Sequence, residues 1–89
     1  MTSAEWRQDE QGLHRTMEFS NFDEAWTFME QVATAAREMD HHPDWSNSWN
    51  TVRITLISHD VGAVTDRDLA LARTIDSLLD QTNPLGAKG

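Results

Sequence analysis

Residues Leu13 to Phe19 read LHRTMEF. Leu13, Met17 and Phe19 share one parity, and His14, Thr16 and Glu18 the other. Alternation with period two marks a strand buried on one face. Arg15 stands on the apolar parity and interrupts it. Ahead of this run, Asp9 to Gly12 (DEQG) predicts a turn, and Trp6 to Gln8 a short partner strand. Asn21 then stands as an N-cap, with Glu24 three residues on, as a capping box requires. Phe22, Trp26, Met29, Ala33 and Ala36 recur at steps of four, three, four and three, and Ala25, Val32 and Met39 widen the stripe. That spacing predicts an amphipathic helix over 22–39 with Trp26 in its core-facing stripe. Pro43 forbids its continuation.

Beyond the proline the period returns to two. Val52, Ile54 and Leu56 alternate with Arg53, Thr55 and Ile57 inside the run Trp49 to Ser58. This predicts a strand paired with a short segment around Trp45 across an Asn47-Ser48 turn. His59 stands where the strand should end, and Asp60 to Val64, with Gly62, reads as a loop. Thr65 caps a second helix, with Asp68 in the capping-box position and Leu71, Ala72, Ile75, Leu78 and Leu79 as its apolar face. Pro84 ends it, and residues 81–89 are expected to form a flexible tail. The order is β-β-α-β-β-α. It predicts an α+β fold: one domain over 1–89, with a small antiparallel sheet of about four strands and two helices packed on one face. No repeat or low-complexity block interrupts it.

Composition narrows the partners. The chain has 89 residues, seven Lys plus Arg against fifteen Asp plus Glu, and a net charge of −8. That balance disfavours nucleic acid and anionic membrane surfaces. There is no cysteine, which removes disulfides and thiolate metal sites. No apolar run approaches the roughly 20 residues of a membrane span. The opening MTSAEWRQDE lacks the basic and apolar regions of a signal peptide, so a cytoplasmic protein is expected.

Candidate chemistry falls at element ends. His41 and His42 lie between the first helix and the hairpin, His59 closes a strand, and Asp68 is in the first turn of a helix. Rigid elements present sites at such positions, and imidazole carries protons near neutral pH. Plainer explanations exist for each. His14 fits a solvated surface residue, Asp68 a cap alone, the His41-His42 pair a cationic helix end, and the tryptophans core packing. Three histidines and a carboxylate suit zinc in type, but their spacing matches no familiar zinc pattern, and no metal is expected.

The run HHPDWSNSWNTVRITLISHDVGAVTDRDLALA, His41 to Ala72, resembles the pterin-4a-carbinolamine dehydratases. The family pattern is His-His-Pro, five residues, an aromatic, nine residues, a histidine, eight or more residues and an aspartate. Here it is met by His41-His42-Pro43, Trp49, His59 and Asp68. The upstream FSNFDEAWTFMEQVATAAREM is similar to the family's strand-to-helix passage, so the resemblance runs from Trp6 to Leu79. One departure is Arg37, at a position four before the first histidine that is usually acidic.

The resemblance implies dehydration of 4a-hydroxytetrahydropterin to quinonoid dihydropterin, in pterin recycling for aromatic amino acid hydroxylases, with no metal or redox cofactor. It implies that His41, His42 and His59 bind the pterin and transfer protons, and that Asp68 orients an imidazole. Pro43 and Trp45 are expected to wall the flat ring. A homodimer or homotetramer is expected, with an aromatic amino acid hydroxylase as a further partner. The alternative is a non-enzymatic role, because family branches serve as a transcription-factor dimerisation cofactor and in Rubisco assembly. Retention of the histidine set favours the enzyme.

Overall fold

The computed structural model describes residues 6–82, the last as backbone. Its elements are β1 (Arg7–Asp9), β2 (Gly12–Glu18), α1 (Phe22–Met39), β3 (Asp44–Ser48), β4 (Thr51–Leu56) and α2 (Asp66–Thr82). They form one sheet in the order β1-β2-β4-β3, with every neighbour antiparallel. This is the α+β arrangement that the periodicities predict. α2 extends two residues into the stretch expected as a tail; the rest of that stretch lies outside the described residues.

Pairing of β2 with β4 sets Leu13 opposite Leu56, Arg15 opposite Ile54 and Met17 opposite Val52. This row is the inner face. His14 with Thr55, Thr16 with Arg53 and Glu18 with Thr51 form the outer, polar face. The helices cover the inner face: Phe28 and Val32 of α1 and Leu71, Ile75 and Leu79 of α2 join the strand residues in one apolar cluster. Gly12 allows β2 to start against β4. Its φ is +132°, and a Cβ there would lie 2.5 Å from the Leu56 carbonyl oxygen.

Arg15 keeps the inner parity for a reason the pattern does not show. Its Nη1 lies 2.5 Å from Asp76 Oδ1 on α2. The Trp6 indole Nε1–H donates to the same carboxylate at 2.9 and 3.2 Å. A charge on the core side of the sheet is tolerable when paired and hydrogen-bonded, and this pair fastens α2 to β2 and to the residue before β1.

Two local expectations are corrected. The buried face of α1 is Ala25, Phe28, Met29, Val32 and Ala36, whereas Trp26 is 49% exposed. Steps of three and four admit two neighbouring stripes on one helix. The stripe that wins lays Phe28 against Phe19, ring centroids 5.1 Å apart, and leaves Phe22 and Trp26 stacked on each other outside. The hairpin also turns later than expected, at Trp49-Asn50 and not at Asn47-Ser48, because Ser48 pairs with Thr51. Asn47 belongs to β3, and its side-chain amide donates to the Trp49 and Thr51 carbonyls across the turn. Those bonds hold Trp49 at φ +52°, a conformation that bulky residues rarely adopt.

The Arg15 pair predicts an asymmetric mutational response. Asp76→Ala strands the guanidinium and the Trp6 N–H, and should lower unfolding free energy by about 2–4 kcal/mol. The double change Arg15→Met with Asp76→Leu should cost less than Asp76→Ala alone. Urea unfolding of the three proteins checks this. A single variant as stable as the parent would contradict it.

Candidate active site

α1 ends by a left-handed residue. Asp40 has φ 54° and ψ 41°. The amide of His41 then bonds back to Ala36 O at 3.0 Å, and that of Asp40 to Arg37 O at 3.2 Å. This closure ends the helix and turns the chain sharply. It drives His41 inward, where only 8% of its surface remains exposed. His42 points to solvent, and Pro43 leads straight into β3.

β4 ends in a second tight connection. Ser58 bridges to Ala63, its carbonyl accepting from the amides of Val61 and Gly62. Thr65 is the N-cap of α2, its hydroxyl accepting from the Arg67 amide at 3.3 Å. Asp68, three residues on, is fully buried. Its Oδ2 accepts from the Thr65 amide and the Ser58 hydroxyl, both at 2.8 Å, and its Oδ1 lies 2.5 Å from His41 Nε2. The Ser58 hydroxyl is also 2.7 Å from Thr65 Oγ1. Asp68 is therefore a capping-box residue and an imidazole partner at once.

Burial drives the Asp68 carboxyl up. Hydrogen bonds from His41, the Thr65 amide and the Ser58 hydroxyl outweigh it and hold the group below its ordinary value. An ionised carboxylate only accepts, so His41 must carry its proton on Nε2. In the neutral ring Nδ1 is then left as the lone pair.

A second pair lies alongside. His59 Nε2 is 2.9 Å from Asp44 Oδ2, and both side chains are well exposed. Two His–Asp contacts thus join the segment 41–44 to the segment 58–68: one buried, one at the surface. The structure brings together His41, Asp68, His59 and the backbone carrying His42. Pro43 and Trp45 are half-buried. Trp45 packs against the core cluster from the inner parity of β3, opposite Ile54. Among the described residues, no three His, Asp or Glu side chains converge as metal ligands would.

Sequence reasoning missed Ser58 and Asp44. A single serine at a strand end carries no periodic signal, and nothing in the spacing shows that Asp44 and His59, fifteen residues apart, meet.

The model of the family Pterin 4 alpha carbinolamine dehydratase matches residues 1–78. A relative from Mesorhizobium japonicum is 52% identical over 68 residues, 76% of this chain and 69% of its own. One from Jannaschia sp. is 46% identical over 71 residues, 80% and 72%. Both carry the provisional name pterin-4-alpha-carbinolamine dehydratase. Among solved structures, the chain is similar to a transcriptional coactivator/pterin dehydratase from Brucella melitensis, with TM-score 0.80 and 34% identity over 83% of this chain and 81% of that one. A pterin dehydratase-like RuBisCO assembly factor of the alpha-carboxysome shares the fold, with TM-score 0.68 and 20% identity over 82% and 84%.

Asp68 predicts a pH signature. Its folded pKa lies below the unfolded one. The stability it contributes is therefore complete above the unfolded carboxylate range, near pH ~4, and is lost as pH falls through the folded value. Urea midpoints measured from neutral pH downward should fall more steeply in acid for the parent than for Asp68→Asn, which binds no proton there. Parallel curves would show that folding does not perturb Asp68.

Proposed function

The chain belongs to the pterin 4 alpha carbinolamine dehydratase family, and on that premise we propose that it dehydrates a 4a-hydroxytetrahydropterin to the quinonoid dihydropterin and water, in the cytoplasm. The carrying observation is the buried His41–Asp68 pair beside the exposed His42 and His59. The reaction breaks the C4a–O bond. A proton leaves N5, the N5 electrons form the C4a=N5 double bond, and the departing hydroxyl takes up a proton as water. No electrons are gained or lost overall. Proton-transfer groups flanking one flat ring suffice, and the proposal includes no metal or cofactor.

In this reading His41, His42 and His59 bind the pterin and exchange protons with it. Asp68 holds His41 in the Nε2–H form, so that Nδ1 is the nitrogen left to act, and it stabilises the ring when it becomes charged. Asp44 does the same for His59, more weakly because water screens that pair. Pro43 fixes the backbone between the two imidazole segments, and with the exposed part of Trp45 it provides a wall for the ring. Aromatic amino acid hydroxylases release this carbinolamine, so such an enzyme is the natural partner in metabolism.

We also propose a homodimer or homotetramer. Phe22 and Trp26 form a stacked apolar pair on the outside of α1, and β1 and β3 are the sheet's edge strands among the described residues. The same surface suits the alternative of a non-enzymatic partner protein, since one similar structure is called a transcriptional coactivator as well as a pterin dehydratase and another a RuBisCO assembly factor. The complete histidine set supports the enzyme.

A chemically generated carbinolamine, followed optically, separates these readings. The chelator-treated, dialysed protein should accelerate its decay. Asp68→Asn should stay folded at neutral pH yet lose tenfold or more in turnover, within the roughly 10²–10⁴-fold range of acid–base groups, and Asp44→Asn should lose less. Decay at the uncatalysed rate would reject the enzyme. A scattering mass of 10.1 kDa on the same sample would reject the oligomer.

A further inference from the structure

A second polar cluster lies on the outer face of the sheet, next to the Asp44–His59 pair in the same row. Register sets Arg7, His14 and Thr55 side by side across β1, β2 and β4. Thr16 and Arg53 occupy the next row. Neighbours within a row are about 5 Å apart, and successive rows on one face about 7 Å. Together they line a cleft of about 340 Å³, at the small end of ligand-site volumes.

His14 is more constrained than a solvated surface residue. Its side chain is 18% exposed. Nε2 lies 2.8 Å from Asp9 Oδ1, and Nδ1 3.0 Å from Thr55 Oγ1. The hydrogen bond from His14, then that from the Gln11 amide, holds the Asp9 carboxyl below its ordinary value. That carboxylate hydrogen-bonds to the ring and also interacts, without a direct ion pair, with the Arg7 charge. Asp44, in the same row beyond Thr55, is committed to His59.

Arg7 and Arg53 differ in that neither has an ion-pair partner among the described residues. Glu18, in the row beyond Arg53 and paired with Thr51, is the remaining carboxylate on this face of the described strands. The chain carries a net charge of −8, so its cations are scarce. Two guanidiniums outside any ion pair among the described residues, together with the Thr16 hydroxyl, surround one concavity and form a donor-rich surface. Such a surface suits the oxygens of a tetrahedral anion.

We propose that this cleft is a binding site for a phosphate group, with Arg53 and Arg7 as charged donors and Thr16 as a hydroxyl donor, while Thr55, whose hydroxyl donates to His14 Nδ1, forms part of its wall. The site is independent of the dehydration reading. Its volume exceeds that of a bare phosphate ion, so a phosphate ester should bind more tightly than the free ion.

The test titrates the full-length, isotopically labelled protein with inorganic phosphate, and in a second arm with glycerol 3-phosphate. Ionic strength is held constant with chloride. Saturable shifts at the His14 ring and the Arg53 side chain are expected. Arg53→Gln should weaken binding tenfold or more and Arg7→Gln about threefold. Both should retain the parent's amide spectrum and its rate on the carbinolamine. Tighter binding of the ester would assign the site to phosphate esters, and equal binding to the free ion; both support a phosphate site. Linear, unsaturating shifts, shifts confined to His42 and His59, or an unchanged dissociation constant in Arg53→Gln would overturn it. If Arg53→Gln does not fold, the titration of the parent and of Arg7→Gln decides alone.

Discussion

Asp68 is a carboxylate with no exposure to water, and its charge must be met from within the protein. Three donors meet it: an imidazole from the end of α1, a hydroxyl from the end of β4, and the backbone amide of its own helix cap. Each comes from a different segment, so one ion draws both of the connections that flank the β3–β4 hairpin onto the start of α2. Removing any donor would leave a buried charge short of a partner, a defect that costs several times what a surface contact contributes. The left-handed Asp40, the tight 58–63 loop and the Thr65 cap are the local geometries that deliver those donors.

The same constraint gives the histidines different chemistry. His41 is buried and its tautomer is dictated by a carboxylate that only accepts. His42 is exposed, and His59 is tethered at the surface by Asp44. Three imidazoles on two short segments thus differ in solvation. His41 and His59 both meet a carboxylate through Nε2, one in the interior and one at the surface. This inequality suits the proposed reaction, which needs one proton removed and one delivered. The fold alone does not assign a function, since a protein with the same fold is described as an assembly factor.

Much of the fold is legible in the sequence because its strands and helices bury one face each. β2, β4 and the apolar face of α2 follow from period two and period 3.6, and the caps at Asn21 and Thr65 from side-chain chemistry. What was not legible depends on contacts between distant segments. α1 has two plausible stripes, and only the meeting of Phe28 with Phe19 chooses between them. Arg15 breaks the strand pattern because Asp76, on α2, lies below it. The candidate site was legible as residue types at element ends. Its wiring was not: that Asp68 takes His41 while Asp44 takes His59, and that Ser58 completes the buried carboxylate, follows only once β4 and the two connections are in place.

The central claim is that Asp68 fixes the His41 ring with its proton on Nε2. Nitrogen-15 NMR of the histidine side chains at a pH where His41 is neutral reads this directly. The account predicts a protonated Nε2 and an unprotonated Nδ1 for His41 in the parent. It predicts the reverse in Asp68→Asn, because the Asn oxygen must face the Thr65 amide and its NH₂ must then face the ring. A neutral His41 with its proton on Nδ1 in the parent, or a ring averaging between tautomers, would contradict it.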